Sequence, residues 1–387
     1  MDKDITIEFN KKYISNYILP NKICRGFSLH YNEAHCIWEL ILNTLIECLE
    51  EIFASVRIFY DIPSTCDEQI LKRFYQEKYY KIKDRVPYFF DANQKKRMIV
   101  TDALPFVYSK VEENHCIFST YTVVRPRSFA VKTFLREEFI RYFQVVVNYK
   151  KEDESNLTSK LFEALQNFFN KLNIATVVVD RYSDSYYKKK SCFHAVWLNG
   201  HIESVLQCGI LLDSDKNIDN IYIDIGGAQR LLATFLYLNS DKDGLLLPHF
   251  LRDYDVLVMV KQDTKYIKTL IQVLKKHNIR PLINYSLGDI SIREIKRMAK
   301  RNHVIGIWFQ RFSNGYEFIT SYTRDGKKIC IRCADDIKTW IIEHYEPRDN
   351  KSKEVQMALI NKKIKGDKLF FTDKRKAYKV LKNRLFS

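Results

Sequence analysis

Apolar residues recur at helical spacing between positions 34 and 54, where Ile37, Leu40, Ile41, Leu45, Ile46, Leu49, Ile52 and Phe53 form one stripe. The spacing predicts a long amphipathic helix. It is followed at once by Ser55-Val-Arg-Ile-Phe-Tyr-Asp-Ile-Pro63, which reads as a strand stopped by proline. The charged stretch 67–85 reads as a surface helix. Strands are predicted at 118–124, 174–179, 194–198 and 221–225, and helices at 139–147, 157–172 and 228–238. Strands with interspersed helices, lacking regular alternation, favour an α+β domain on a largely antiparallel sheet.

After Leu245-Leu-Leu-Pro248 the rhythm changes. Strand 254–261, helix 264–277, strand 281–284, helix 291–302, strand 304–310, strands 317–323 and 328–332 and a closing helix 335–344 follow in order. This predicts a compact α/β unit of about 95 residues. The pair Asn314-Gly315 is a hairpin signal. The organisation is therefore 1–248, 249–346 and a lysine-rich extension 347–387, without internal repeats.

Composition narrows the class. In 387 residues, 46% are hydrophobic and 14% aromatic, with only 11 Gly and 8 Pro, which excludes a disordered or collagenous chain. The net charge is +16, and residues 346–387 hold 13 Lys+Arg against 5 Asp+Glu, so 13 − 5 = +8 lies in this tail. Such a balance suits a polyanionic partner, or serves solubility alone. No apolar run approaches the ~20 residues of a membrane span, so no membrane partner is expected. The cysteines at 24, 36, 48, 66, 116, 192, 208, 330 and 333 lie mostly in apolar segments, as reduced thiols do. The first residues mix acids and bases, unlike a secretory signal or an Arg/Ser-rich transit peptide, while an import signal within 11–25 stays open.

The chain has no Walker loop, GxGxxG, HExxH or GxSxG. Cys330-Ile-Arg-Cys333 is a lone CxxC in an alternating segment, and reads as cysteines on a strand face. The histidines show no paired spacing, so neither a metal nor a cofactor is expected. Two basic clusters stand out. Arg125-Pro-Arg127 runs on to Lys132, Arg136 and Arg141 beside Phe139, Tyr142 and Phe143, and guanidinium groups suit phosphate. Tyr186-Tyr-Lys188-Lys189-Lys190 sets a lysine run against aromatic rings, a combination that suits a nucleic-acid strand. For both, a solvated charged loop is the plainer alternative. Gly226-Gly-Ala-Gln-Arg230 enters an apolar helix, where glycines permit close backbone approach.

In this order the pieces resemble the class II aminoacyl-tRNA synthetase core, in the prolyl, threonyl, histidyl and glycyl subgroup. The long helix, strand and Pro63 are similar to the family's first motif, which implies a possible homodimer. Arg125 through Phe139 resembles the second motif over ATP, and Gly226 to Arg230 the third, whose Arg meets the triphosphate. The α/β order of the next unit resembles the anticodon-binding domain. Two departures weigh against adenylation: Arg127 stands where the family's second motif has an acid, and Thr101-Asp-Ala-Leu-Pro105 stands where a Thr-x-Glu is expected. Arg125 and Arg230 then read as remnants of an ATP site, with no catalytic residue.

A degenerate core followed by such a domain is similar to the accessory-subunit family of mitochondrial DNA polymerase gamma. Pro126-Arg-Ser128, Leu198-Asn-Gly200 and Thr323-Arg-Asp325 carry that likeness. It implies a non-catalytic processivity factor, mitochondrial and otherwise cytoplasmic. Its partners would be the DNA polymerase catalytic subunit and duplex or primer-template DNA, held by Arg125, Arg127, Lys132, Arg136, Arg141 and Lys188 to Lys190. The alternatives are a divergent synthetase of the prolyl/threonyl/histidyl group, with Arg125 and Arg230 on ATP, and a synthetase-like regulator that binds tRNA.

Overall fold

The structure is a computed structural model that describes residues 18–20, 28–30, 32–60, 62–63, 65–75, 86, 88–99, 102–107, 110–124, 139–182, 187–197, 202–211, 220–241, 244–285, 291–301, 304–323, 327–331, 336–337, 339–340 and 369–370. The chain divides into two units. The first comprises Met1–Asn170, Ile174–Tyr237 and Gln356–Ser387, and the second Lys171–Asn173 and Leu238–Val355.

The first unit opens with β1 (Ile18–Pro20), β2 (Ser28–His30) and helix α1 (Asn32–Glu50), then β3 (Val56–Phe59), β4 (Thr65–Asp67), α2 (Glu68–Tyr75), β5 (Tyr88–Phe90), β6 (Lys96–Ile99) and the single turn α3 (Leu104–Val107). Next come β7 (His115–Val124), β8 (Phe139–Lys150), α4 (Glu154–Lys171), β9 (Thr176–Tyr182), β10 (Tyr187–Val196), β11 (Ile202–Leu211), β12 (Asn220–Ala228) and α5 (Arg230–Leu238). The main sheet runs β9-β10-β11-β12-β8-β7-β3. Within these seven strands all pairs are antiparallel except β3 with β7, and an eighth strand, Leu369–Phe370, joins β9 in parallel at the other edge.

Side chains alternate across this sheet, so the register assigns faces. One face carries Phe118, Phe143 and Phe193, and the helices cover it. Trp38 of α1 lies 6.0 Å from the Phe143 ring, and Phe162 and Phe169 of α4 lie 5.7 and 5.5 Å from Phe193. The predicted stripe of α1 is the side that packs, for Ile37, Ile41, Leu45, Ile46, Leu49 and Phe53 are all buried. The opposite face carries the polar groups described below.

The second unit holds β13 (Ser240–Asp241), β14 (Gly244–Leu245), β15 (Val256–Val260), α6 (Lys265–Lys276), β16 (Pro281–Tyr285), α7 (Ile292–Arg301), β17 (Gly306–Ser313), β18 (Tyr316–Thr323) and β19 (Lys328–Ile331). Its sheet order is β16-β15-β17-β18-β19, parallel about β15 and antiparallel beyond β17. All five residues of β15 are buried, as suits a strand covered on both faces. Thr264 caps α6, its hydroxyl accepting the Ile267 N–H at 3.2 Å. Asn314 (φ 50°) and Gly315 (φ 79°) make the hairpin turn that the sequence predicts. A short strand, β20 (Leu369–Phe370), pairs in parallel with β9 in the first unit.

Three expectations are corrected. Residues 139–147 form strand β8, not a helix. Ile140, Phe143 and Val147 mimic a helical stripe, but β8 is covered on both faces and its Val145-Val-Val147 run favours a strand. The lysine run is part of β10, so the alternative of a solvated loop does not hold for it, and β11 has no counterpart among the predicted elements. Of the proposed surface helix 67–85, Asp67 ends β4, Glu68–Tyr75 is helical and 76–85 lies outside the described residues, as does most of the closing helix 335–344. The lysine-rich extension 347–387 likewise falls outside them, apart from Leu369–Phe370.

Candidate functional site

The open face of the main sheet is built from β7, β8, β12, β11 and β10. Register places Tyr121 beside Tyr142, Gln144 beside Gly226, Gly226 beside Gln207, and Asp224 beside Gly209, which pairs with Lys190. These residues share one face and form a continuous hydrogen-bonded array. Gln144 Nε2 donates to Asp224 Oδ1 at 2.7 Å, and the Tyr187 hydroxyl donates to Asp224 Oδ2. Gln144 Oε1 accepts from the Tyr121 hydroxyl at 2.9 Å and from the Ala103 N–H at 3.0 Å. Gln207 Nε2 donates to the Tyr142 hydroxyl at 3.0 Å. Asp102 anchors the approach to α3, accepting the Leu104 N–H at 2.9 Å and the Tyr75 hydroxyl at 3.3 Å.

Asp224 is 2% exposed, and its hydrogen-bond donors are an amide and a phenol rather than cations. Burial, with the charge of Asp102 added, pushes its carboxyl up to about 7, against the pull of Tyr187, Gln144 and Lys190. Burial likewise holds the Tyr121 and Tyr187 phenols well above their ordinary range. The array is therefore a set of neutral donors and acceptors around one reluctant acid.

Two glycines show what fills the face. A methyl group on Gly226 would overlap the Tyr142 hydroxyl and lie 2.9 Å from its Cζ, and one on Gly209 would overlap the Tyr187 ring. The two tyrosines lie directly over the glycine backbones. The cleft left beside them, lined by Val123, Ile140, Tyr142, Gln207, Gly226 and Arg230, holds about 110 Å³. That is well below the roughly 300–1,000 Å³ of typical small-molecule sites.

Arg230 stands at the first turn of α5, and its Nη1 donates to Glu203 Oε1 at 3.0 Å, with Glu203 only 8% exposed. A charged hydrogen bond of this kind occupies the guanidinium. Arg141 lies half-buried at a second cavity, of about 580 Å³, with His35, Trp38, Tyr60 and Thr122, where Tyr121 and Tyr142 of the array also line the wall, and its Nη1 is 3.3 Å from His35 Nδ1. Burial lowers its guanidinium from the ordinary range, with Glu39 opposing. Lys188 and Lys189 are exposed, whereas Lys190 is drawn inward, its Nζ 4.5 Å from the Tyr187 ring centroid. Arg125, Arg127, Lys132 and Arg136 lie outside the described residues. The structure thus brings Lys190 and Arg230 to the polar face of the sheet and places Arg141 at the larger cavity, which Tyr121 and Tyr142 share with that face.

The buried members Tyr121, Gln144, Tyr187, Glu203 and Asp224 were not among the predicted site residues. One signal was available: Asp224 and Gln144 are single polar residues inside apolar strands, Ile-Tyr-Ile-Asp-Ile and Phe-Gln-Val-Val-Val. Among the described residues no group of three metal-ligating side chains occurs, and no helix is long and apolar enough to cross a membrane. Cys66, Cys116, Cys192, Cys208 and Cys330 are free thiols, Cys330 exposed, while Cys333 lies outside the described residues.

No family model and no curated sequence matches the chain, so its likeness to other proteins lies in the fold. It is similar to the Giardia lamblia prolyl-tRNA synthetase solved with prolyl-adenylate, with a TM-score of 0.70 over 99% of this chain and 91% of that one at 14% identity. The chain has a class II synthetase-like fold. The prolyl-tRNA synthetase of Cryptosporidium parvum, solved with halofuginone and AMPPNP, is similar at TM-score 0.65 over 93% of this chain and 81% of that one, at 12% identity. In this synthetase-like fold, the strand-to-helix segment Gly226 to Arg230 ends β12 and begins α5.

Proposed function

We propose that this chain is a synthetase-fold protein that binds tRNA without forming an aminoacyl-adenylate. One observation carries the proposal: the sheet face that resembles the family's catalytic surface is filled from within. Tyr142 and Tyr187 cover Gly226 and Gly209, the cleft beside Gly226 and Arg230 is about 110 Å³, and Arg230 is held by Glu203. A nucleotide would have to displace both rings and break a charge-assisted hydrogen bond before its phosphates met that Arg.

The nucleic-acid half of the proposal rests on charge and on fold. A net charge of +16 favours a polyanion, and the two structures compared above are prolyl-tRNA synthetases, which favours tRNA over a DNA duplex. The polymerase accessory-subunit reading shares the lost adenylation and differs in the nucleic acid and in needing a polymerase partner.

ATP–pyrophosphate exchange with each amino acid tests the first half. The expected result is background exchange throughout, and measurable exchange with any amino acid overturns it in favour of a divergent synthetase. Binding of tRNA and of primer-template DNA, each titrated across salt concentrations, tests the second half. Tighter binding of tRNA is expected, and equal or tighter binding of primer-template DNA returns the accessory-subunit reading.

A further inference from the structure

The first unit has a second sheet, of order β4-β6-β5, in which β5 is an edge strand. Its three residues Tyr88, Phe89 and Phe90 are all aromatic and are 54%, 43% and 58% exposed. The inner part of this sheet is closed normally, with Cys66 and Met98 buried against Leu71 and Tyr75. The rings of β5 extend past that core into solvent, and apolar rings gathered in this way mark an interaction surface.

Cations lie directly beside them. Register sets Phe90 opposite Lys96 and Phe89 opposite Arg97. Lys96 Nζ stands 4.4 Å from the Tyr88 ring centroid, and Tyr88 meets Phe90 edge-to-face at 6.0 Å and 88°. Lys96 and Lys72 share Glu68 at 3.3 and 3.1 Å, and Arg97 is matched by Asp91 at 3.5 Å. Lys95 is exposed at the turn, where Asp91 Oδ1 accepts the Asn93 and Lys95 N–H groups at 2.9 and 3.0 Å. With Arg73 of α2 included, five cations face the three carboxylates Asp67, Glu68 and Asp91.

Rings with a basic surplus select the partner. A second copy of this hairpin would bring like charge against like charge. A duplex hides its ring faces in the stack, whereas an unpaired strand offers bases for stacking and phosphates for the cations. We infer that the β5–β6 hairpin is a stacking platform for unpaired nucleotides of an RNA, with Tyr88 and Phe90 against bases and Lys95 and Lys96 near phosphates. The inference rests on the tRNA-binding proposal and deepens it, because it places one contact on a surface that the charge clusters of the sequence did not point to.

The test uses the full chain with a labelled ten-nucleotide oligouridylate and, in parallel, a folded tRNA. Phe90→Ala is expected to weaken oligouridylate binding about tenfold, while Phe90→Trp keeps it. Lys95→Ala is expected to lower the salt slope by about 0.7. Circular dichroism of each variant should match the parent, since Phe90 and Lys95 are exposed. Oligouridylate binding that is unchanged in Phe90→Ala overturns the platform, and if tRNA still binds, the tRNA proposal stands without it. Failure of the parent chain to bind either RNA overturns both. Loss of a dimer on Phe90→Ala in light scattering, with oligouridylate affinity unchanged, gives the face to a second copy and also overturns the inference.

Discussion

Each unit buries an aspartate, Asp224 at 2% exposure in the first and Asp255 at 0% in the second, and the two surroundings act on the carboxyl in opposite directions. Asp224 is surrounded by Gln144, Tyr187 and Asp102, so burial prevails and its carboxyl rises to about 7. Asp255 is also opposed by burial, but the hydrogen bonds of Arg280 and the charges of Arg252 and Arg280 outweigh it and hold its carboxyl below the usual range. Its Oδ2 accepts the Arg280 backbone N–H at 2.9 Å and Nε at 3.1 Å, and Arg252 Nη1 and His249 Nδ1 approach Oδ1 at 3.3 and 3.1 Å. The Asp255 N–H donates to the Arg280 carbonyl at 2.7 Å, so the residue joins the starts of β15 and β16. Buried charge in the second unit is a structural clamp. In the first, it is a polar array on the sheet face that the tyrosines fill.

The largest test of that contrast is Asp255→Ala. It leaves Arg252, 4% exposed, and Arg280 without their carboxylate, and breaking a buried pair in this way costs about 3–5 kcal/mol. Hydrogen-exchange protection of the β15 and β16 amides should fall accordingly, with the β7 and β8 amides of the first unit unaffected. A loss no larger than that of a surface substitution would remove the clamp from the account.

Asp224→Asn should act in the other direction. Because the folded carboxyl is raised from about 3.9 toward 7, the native state holds its proton while the unfolded state has lost it. The contribution is full below about pH 4 and is lost as pH rises toward 7. For Asp255, lowered in the folded state, the stabilisation is present above about pH 4 and is lost on acidification. An amide at position 224 mimics the protonated acid, with Oδ1 still accepting from Gln144. Urea unfolding as a function of pH should therefore lose its decline between pH 4 and 7, with a gain at pH 8 of up to about 1.4 kcal/mol for each unit of displacement removed. A variant less stable than the parent at pH 8 would show that the carboxylate is matched by its donors after all.

The two units also differ in how much of them can be read from the sequence. In the second, Val256–Val260 is wholly apolar, Thr264 precedes an amphipathic run, and Asn314-Gly315 specifies its turn, so local signals agree with the sheet order. In the first, β8 is buried on both faces, which removes the alternation that identifies a strand and leaves a false helical stripe. Gly226 and Arg230 could be singled out because glycine before a helix is a local signal. Tyr142 and Tyr187 stand out only as rings beside basic clusters, and their place over the glycines is not legible, because it depends on register across β8, β12, β11 and β10 that only long-range pairing fixes. The same register explains Glu203, which meets Arg230 from 27 residues away.

The smallest effect separates two neighbouring lysines. Lys190 sits over the Tyr187 ring and its charge lowers the Asp224 carboxyl, whereas Lys189 is exposed. Lys190→Met should move the pH midpoint of the Asp224-linked decline upward, because the acid loses a favourable cation, with a stability change under about 1 kcal/mol at neutral pH. Lys189→Met should leave the midpoint in place and, if the strand contacts RNA, reduce the salt slope of tRNA binding by about 0.7 to 0.9. Equal midpoint shifts from both would mean that Asp224 responds to the general positive field of β10 and not to a cation placed above Tyr187. A shift from Lys190 alone would show that the lysine run is divided by strand alternation, one side chain serving the buried array and its neighbours facing solvent.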